Sequence, residues 1–405
     1  MNRELVSKFE NRRAQIAIIG LGCRFPGGAN DPELFWQRLV QGHSAIRQVP
    51  AERWQADAYY ASDDQPGKSR SKWAGFLQDW DPQQFDAALF DISPAEAKAL
   101  DPQQRLLLEV SLEAIQHAGL VPGRTLARDT GVFVGISTDD YKASQLYHSD
   151  LSRISTYTGS GCMYSAAAGR LSYWLGLQGP NKAVDTACSS SLVALHDACQ
   201  AIRHGECSTA LVGGVNLLLT PHLFVCFSAL GALSPDGICR AFADGANGYV
   251  RGEGCGVLVL KSRAQAEADG DRILALIAAT AINQDGTSSN LTAPNGAAQQ
   301  QVIHTALQRA GISADRVSYV ETHGTGTPLG DPIEAKALGT VYGQAVGRCE
   351  PLLMGSGKTQ FGHLEAAAGV LSVIKTTLML QRQQLVASAN FDKPSALIDF
   401  AGLNL

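Results

Sequence analysis

Three side chains in this 405-residue sequence join nucleophile and proton-donor chemistry to the local setting it needs. Cys188 stands in Val184-Asp185-Thr186-Ala187-Cys188-Ser189-Ser190-Ser191, where an apolar strand ends, small residues turn the chain and a helix starts. Unpaired N–H groups and the helix dipole favour a thiolate there, so the pattern predicts a lowered thiol pKa and a nucleophile. A buried structural cysteine is the other reading of this position, and it suits any of the remaining eight cysteines. His323 lies in Glu321-Thr322-His323-Gly324-Thr325-Gly326-Thr327, just after the apolar run Val317 to Val320. His363 lies in Lys358-Thr359-Gln360-Phe361-Gly362-His363-Leu364-Glu365, just before a long helical pattern. Both sit beside glycine in turns near strand ends, where α/β sheets assemble their sites. A lone histidine is usually structural. Two in such turns, with a candidate nucleophile, make a catalytic set.

The elements that must position these residues follow a repeated pattern of short apolar run, small-residue turn and amphipathic helix. Strands are expected at Ile16 to Ile19, Gly131 to Gly135, Ala183 to Asp185, Val257 to Leu260, Ile273 to Ala281, Val317 to Val320 and Leu352 to Met354. Helices are expected near Pro32 to Leu39, from the Ser93 cap and Pro94, over Gln103 to His117, over Ser190 to Ile202 and over Leu364 to Leu380. Such alternation implies largely parallel sheets covered by helices on both faces.

Composition narrows the function. A net charge of −5 argues against a protein driven by phosphate contacts to nucleic acid, and 45% hydrophobic with 18% charged residues excludes disorder. Nine cysteines, an odd number without a CxxC pair, fit a reducing cytosol rather than a disulfide framework. Cys199, His204 and Cys207 lack a second ligand pair, so no metal is expected. The N-terminus, MNRELVSKFENRR, has no apolar signal-peptide core. Ser208 to Pro235 lacks Lys, Arg, Asp and Glu, yet Gly213-Gly214, Asn216, Pro221 and His222 break it into a buried strand and buried loop, not a membrane span. The run Gly20-Leu21-Gly22 lacks the third glycine of a dinucleotide fingerprint, and Gly355-Ser356-Gly357-Lys358-Thr359 lacks the first glycine of a P-loop. A cytoplasmic enzyme without nucleic-acid or membrane partners is the expectation.

The motifs DTACSSS around Cys188, ETHGTGTPLGDPIEA around His323 and GSGKTQFGHLEAAAG around His363 together resemble the β-ketoacyl synthase (ketosynthase) domain of modular type I polyketide synthases. IAIIGLGCRFPGG, DPQQRLLLEV and GYVRGEGCG support the likeness, which runs in order from about Ile16 to Leu405. The resemblance implies a thiolase-type α/β fold of two similar halves in layered αβαβα arrangement, as a homodimer. A charged stub would cover 1–13, the half with Cys188 14–264, and the half with His323 and His363 265–405. Cys188 would take an acyl group from an acyl carrier protein. A malonyl-type extender would then lose carbon dioxide, His323 and His363 would donate N–H groups to the oxyanion, and the enolate carbon would attack the acyl thioester. Lys358 would supply positive charge. Thr325 and Thr327 would hold the phosphopantetheine arm, or serve only as turn-forming hydroxyls. No cofactor bound by the chain itself is implied; the partners are the carrier protein and neighbouring acyltransferase or other synthase domains. Having Cys188 and His323 favours an elongating enzyme, with a non-elongating docking or gatekeeping module as the alternative.

Three departures accompany the likeness. Gly357 stands where the family usually has an aliphatic residue, and Gln360 where it has asparagine, which lengthens an amide in that turn. Family members also continue past the segment matching Ile398 to Leu405 into a phenylalanine- and glycine-rich loop and a further strand. On the resemblance, then, the C-terminal edge of the fold is expected to be missing, with its gatekeeper and oxyanion-hole N–H.

Overall fold

The expected strand at Ile16 runs on to Arg24 (β1, Ile16–Arg24), buried along nearly its whole length because it lies inside a sheet covered on both faces. The computed structural model describes residues 15–147 and 149–405; the expected stub at 1–13 lies outside the described residues. The other strands are β2 (Ile46–Gln48), β3 (Trp73–Gly75), β4 (Gly131–Gly135), β5 (Asn181–Val184), β6 (Thr209–Asn216), β7 (Arg251–Gly252), β8 (Gly254–Ser262), β9 (Ala275–Ile277), β10 (Tyr319–Glu321) and β11 (Leu353–Gly355). Six of them make one sheet in the order β5-β4-β6-β8-β1-β9; β10 and β11 form a parallel pair, and β2-β3-β7 a small third sheet.

The large sheet is mixed rather than largely parallel. β5, β4 and β6 run parallel, while β8 is antiparallel to β6, as are β1 to β8 and β9 to β1. After β6 the chain makes no helical crossover back to the opposite edge. It stays at the carboxyl end through the helix His222–Ala229 and enters β8 from there, so β8 must run back down. Two further expectations shorten. Only Ala275–Ile277 of the predicted Ile273–Ala281 strand pairs, against the first three residues of β1. The last long helix starts at Ala368, not Leu364, because Glu365 adopts φ +49° and opens a separate turn over Glu365–Ala367. The stretch after β6, expected as loop, holds the helix His222–Ala229; among the described residues no helix is long and apolar enough to cross a membrane.

Alternation along the strands separates two cores. Ile16, Ile18, Val212, Leu258 and Leu260 face one side, where they meet the helices Ser190–Arg203 and Ala368–Arg382. Ala17, Ile19, Leu211, Val257 and Val259 face the other, against the helix Pro102–His117. That helix lies almost on the backbone of β1: a Cβ at Gly20 or Gly22 would come within 2.5 Å of the Ala114 or Val110 carbonyl oxygen. The opposite helix approaches as closely. A Cβ at Gly135 would sit 2.5 Å from the Ser191 nitrogen, which sets the start of the Cys188 helix at the carboxyl ends of β4 and β6.

Candidate active site

Cys188 occupies a single tight turn, Ala187–Ser189, between β5 and the helix Ser190–Arg203. Its neighbours build that turn. Ser190 Oγ accepts from Thr186 N at 2.9 Å and donates to the Ala187 carbonyl at 2.7 Å, while Ser189 Oγ donates to the Thr186 carbonyl at 2.9 Å. Ala187 is forced to φ +55°, a conformation that L residues rarely adopt and that functional turns often store. Cys188 emerges solvent-accessible on one side and crowded by protein on the others. Contrary to the sequence expectation, its thiol is not acidified. Burial and the nearby Glu365 carboxylate push it up to about 11, against the opposing pull of the Lys358 ammonium.

His363 is fixed by its backbone and by its ring. Its N–H donates to the Val250 carbonyl at 2.6 Å and its carbonyl accepts from Gly252 N at 2.8 Å, which ties the residue to β7 in the small third sheet. Ring Nδ1 accepts from Glu365 N at 3.0 Å. A neutral imidazole that accepts at Nδ1 carries its hydrogen on Nε2. Nε2 is buried without a hydrogen-bond partner among the described residues, so its donor is left uncommitted. Burial first, then the charge of Lys358, holds the ring's pKa well below the ordinary value, so the imidazole is neutral.

His323 stands beside it, with ring centroids 5.5 Å apart and planes at 86°. Its backbone N–H and that of Gly324 both donate to the Glu334 carboxylate, at 2.6 and 2.8 Å, which pins the turn after β10. Burial and Lys358 push the imidazole pKa down to about 3, so this ring too is neutral at ordinary pH. Lys358 opens the short helix Lys358–Phe361, is 5% exposed, and acts electrostatically on Cys188, His323 and His363 together. The Ala187–Ser189 and Glu365–Ala367 turns pack against each other, which brings the cysteine and the histidines into one cluster.

Thr325 and Thr327 follow on the loop leaving His323, their hydroxyls 3.3 Å apart. Thr327 Oγ1 accepts from Gly330 N at 3.2 Å, so at least this hydroxyl shapes the turn. The P-loop likeness dissolves here: the Gly357 N–H that would face a phosphate donates instead to Glu321 Oε1 at 2.7 Å. Gln360, longer than the usual asparagine, donates from Nε2 to the Leu39 carbonyl at 3.2 Å and docks the helix Pro32–Gln41. Sequence reasoning gave no role to Glu334, Glu365 or Arg251. Arg251 is fully buried and forked on Glu365, at 2.6 and 3.0 Å. The one available signal was charge inside otherwise apolar or glycine-rich motifs. Among the described residues no group of His, Cys, Asp and Glu could hold a metal ion.

Residues 13–266 match the family described as "Beta-ketoacyl synthase, N-terminal domain", and residues 274–392 its C-terminal domain. The chain belongs to the β-ketoacyl synthase family. It is 50% identical over 391 residues to one subunit of the phenolphthiocerol/phthiocerol polyketide synthase of Mycobacterium tuberculosis, covering 96% of this chain and 21% of that protein. Another subunit of the same synthase is 48% identical, covering 95% and 25%. This ketosynthase therefore spans about a fifth to a quarter of the length of these curated relatives. Among solved structures, the oxazolomycin ketosynthase domain of Streptomyces albus superposes with a TM-score of 0.91 at 38% identity, covering 96% of this chain and 66% of that one. The module 6 ketosynthase of the Bacillus subtilis bacillaene synthase gives 0.88 at 40%, covering 95% and 64%. The fold is the thiolase-type fold of ketosynthase domains, and the family is one of condensing acyltransferases.

Proposed function

We propose that this ketosynthase elongates a polyketide chain by decarboxylative Claisen condensation, with Cys188 as nucleophile and His323 and His363 as the oxyanion donors. Cys188 sulfur attacks the thioester of an acyl chain carried on the phosphopantetheine of an acyl carrier protein; the carrier thiol leaves, and the acyl group rests on Cys188. A malonyl-type extender on a carrier then breaks its carboxyl C–C bond. Carbon dioxide leaves and the electron pair becomes an enolate. The enolate carbon attacks the acyl carbonyl, the C–S bond to Cys188 breaks, and the product is a β-ketoacyl thioester on the carrier.

The observation that carries this reading is the state of the two rings. Both are neutral, they lie edge to face, and His363 offers a buried N–H with no acceptor among the described residues. Neutral N–H donors aimed at a developing oxyanion are what decarboxylation to an enolate requires, since they need not reorganise as charge appears. Lys358 supplies a positive charge that acts on all three residues. Thr325 and Thr327 are read as contacts for the phosphopantetheine amides. The chain is read as two halves, 14–264 and 265–405, acting in a homodimer beside acyltransferase or other synthase domains.

Carbon dioxide release from malonyl carrier protein tests the proposal. His323→Ala and His363→Ala are each expected to lower kcat by about 100-fold or more, the scale of losing one oxyanion donor. Cys188→Gln should keep release while abolishing condensation. Undiminished release in both histidine variants would exclude the assigned roles.

A further inference from the structure

Beneath the turn that carries Lys358 lies a buried cluster that the proposed chemistry does not use. β10 sets Tyr319 and Glu321 on one face, two residues apart, and the helix Ala368–Arg382 brings Lys375 to them. The Lys375 side chain is 2% exposed and that of Glu321 6%. Lys375 Nζ donates to Glu321 Oε2 at 2.5 Å and to the Tyr319 hydroxyl oxygen at 3.1 Å. The Tyr319 hydroxyl donates to the same Oε2. Burial and the Glu321 charge hold its phenol pKa far above the ordinary value, so it keeps the proton that it donates.

Both donors from the cluster thus meet on Oε2. Oε1 is left for one partner, the Gly357 N–H at 2.7 Å. Gly357 is the residue from which Lys358 departs, and it caps the start of the Lys358–Phe361 helix. The fit around it is close. A Cβ at Gly355 would lie 2.7 Å from the Tyr319 hydroxyl oxygen, so the tyrosine packs directly on the end of β11. A buried ion pair alone says little, since apolar residues of similar volume often stabilise as well. The division of the carboxylate, one oxygen held and one presented, is what a purely packing role leaves unexplained.

We infer that Glu321 is a positioning residue for the active-site floor: Oε1 fixes the Gly357 amide and thereby the exit of Lys358, while Tyr319 and Lys375 hold the carboxylate still. The inference rests on the reading of Lys358 as the cation of the site. It assigns a catalytic consequence to three residues that touch neither Cys188 nor substrate.

Two double variants of the full protein separate anchoring from packing. Glu321→Gln with Lys375→Met discharges the pair but keeps a carbonyl oxygen for Gly357. Glu321→Leu with Lys375→Met removes that oxygen as well. Amide hydrogen exchange at Gly357 is expected to stay near wild type in the first and to quicken by about tenfold or more in the second. For carbon dioxide release from malonyl carrier protein, kcat should fall by about 100-fold in the second variant and by about tenfold or less in the first, where the carboxylate's replacement is less firmly held, with KM little changed in both. Equal exchange and equal kcat in the two variants would overturn the inference. Should the leucine variant not fold, Glu321→Asp withdraws the oxygen by one methylene and keeps the charge. It should also quicken Gly357 exchange and lower kcat, and wild-type values for both would overturn the inference too. Exchange needs no turnover, so an enzyme that never releases carbon dioxide refutes the functional reading while leaving the anchor to be judged on Gly357 alone.

Discussion

Cys188 shows how local sequence and three-dimensional surroundings can pull one group in opposite directions. The helix start favours a thiolate, but crowding and Glu365 win over Lys358, and the thiol sits at about 11. A thiol of that pKa has a reactive fraction that grows about tenfold per pH unit across the neutral and mildly alkaline range. Iodoacetamide labelling of Cys188 should therefore rise steadily from pH 7 to 9.5, and Lys358→Met should slow it at every pH. A plateau below pH 9 would contradict this. His363 gives a second test at the same scale. Its folded pKa lies well below the ordinary 6.5, so the unfolded chain takes up a proton as pH falls through 6.5 and the folded one does not. His363 therefore costs stability on acidification, and a His363→Gln variant should lose less melting temperature between pH 7.5 and 5 than wild type. An equal or larger loss in the variant would show the sign to be wrong. The cysteine and both histidines were legible because each stands in a turn beside small residues. Glu334 and Glu321 were not, because their carboxylates receive backbone N–H groups that only the fold brings to them; Glu365 was not, because its partner Arg251 lies 114 residues away along the chain.

At the scale of elements, close backbone approaches decide where the site forms. The Cys188 helix meets β6 at Gly214, where an added Cβ would lie 2.7 Å from Ser191 Cβ and 3.1 Å from the Ala366 carbonyl oxygen. Gly214→Ala must push the Cys188 turn and the Glu365–Ala367 turn apart. It should cost about 1–3 kcal/mol by thermal or denaturant melting, and slow Cys188 acylation beyond what that loss explains. Gly357 is the opposite case. Its φ of −63° and ψ of −18° suit alanine, and the nearest obstacle is the flexible tip of Leu371 at 2.9 Å. Gly357→Ala should be neutral or stabilising by up to about 1 kcal/mol, because it restricts the unfolded chain. A loss larger than that would mean Leu371 cannot yield. Strand and helix positions followed well from apolar runs and caps, as at Gly131–Gly135 and at Pro94 after the Ser93 cap. Strand direction did not. Periodicity marks which residues are buried, but β8 turns antiparallel because of the route taken between β6 and β8, which leaves no trace in either strand's pattern.

For the whole molecule, β5 is the outer strand of the large sheet, and it precedes Cys188 directly. Val132 N donates to the Pro180 carbonyl and Ile136 N to the Val184 carbonyl, so residues of that parity face β4 and Ala183 presents its N–H on the free edge. Leu192 and Met163, at the starts of the two helices Ser190–Arg203 and Tyr164–Leu175 that pack on β5, are exposed, and an open edge with such helices beside it invites pairing with a second copy. Ala183→Pro removes the outward donor and spares the ladder to β4. It should shift the proposed homodimer toward monomer in sedimentation velocity without loss of the folded signal; an unchanged dimer would place the interface elsewhere.

The central claim is that acyl-Cys188 and a decarboxylated extender are joined in this site. Mass spectrometry of the carrier after single turnover tests it most directly, starting from enzyme loaded on Cys188 with a short acyl group and mixed with malonyl carrier protein. The expected result is one β-ketoacyl carrier and one carbon dioxide for each acyl group lost from Cys188. Loss of the acyl group to water, or carbon dioxide released with only acetyl carrier formed, would contradict it.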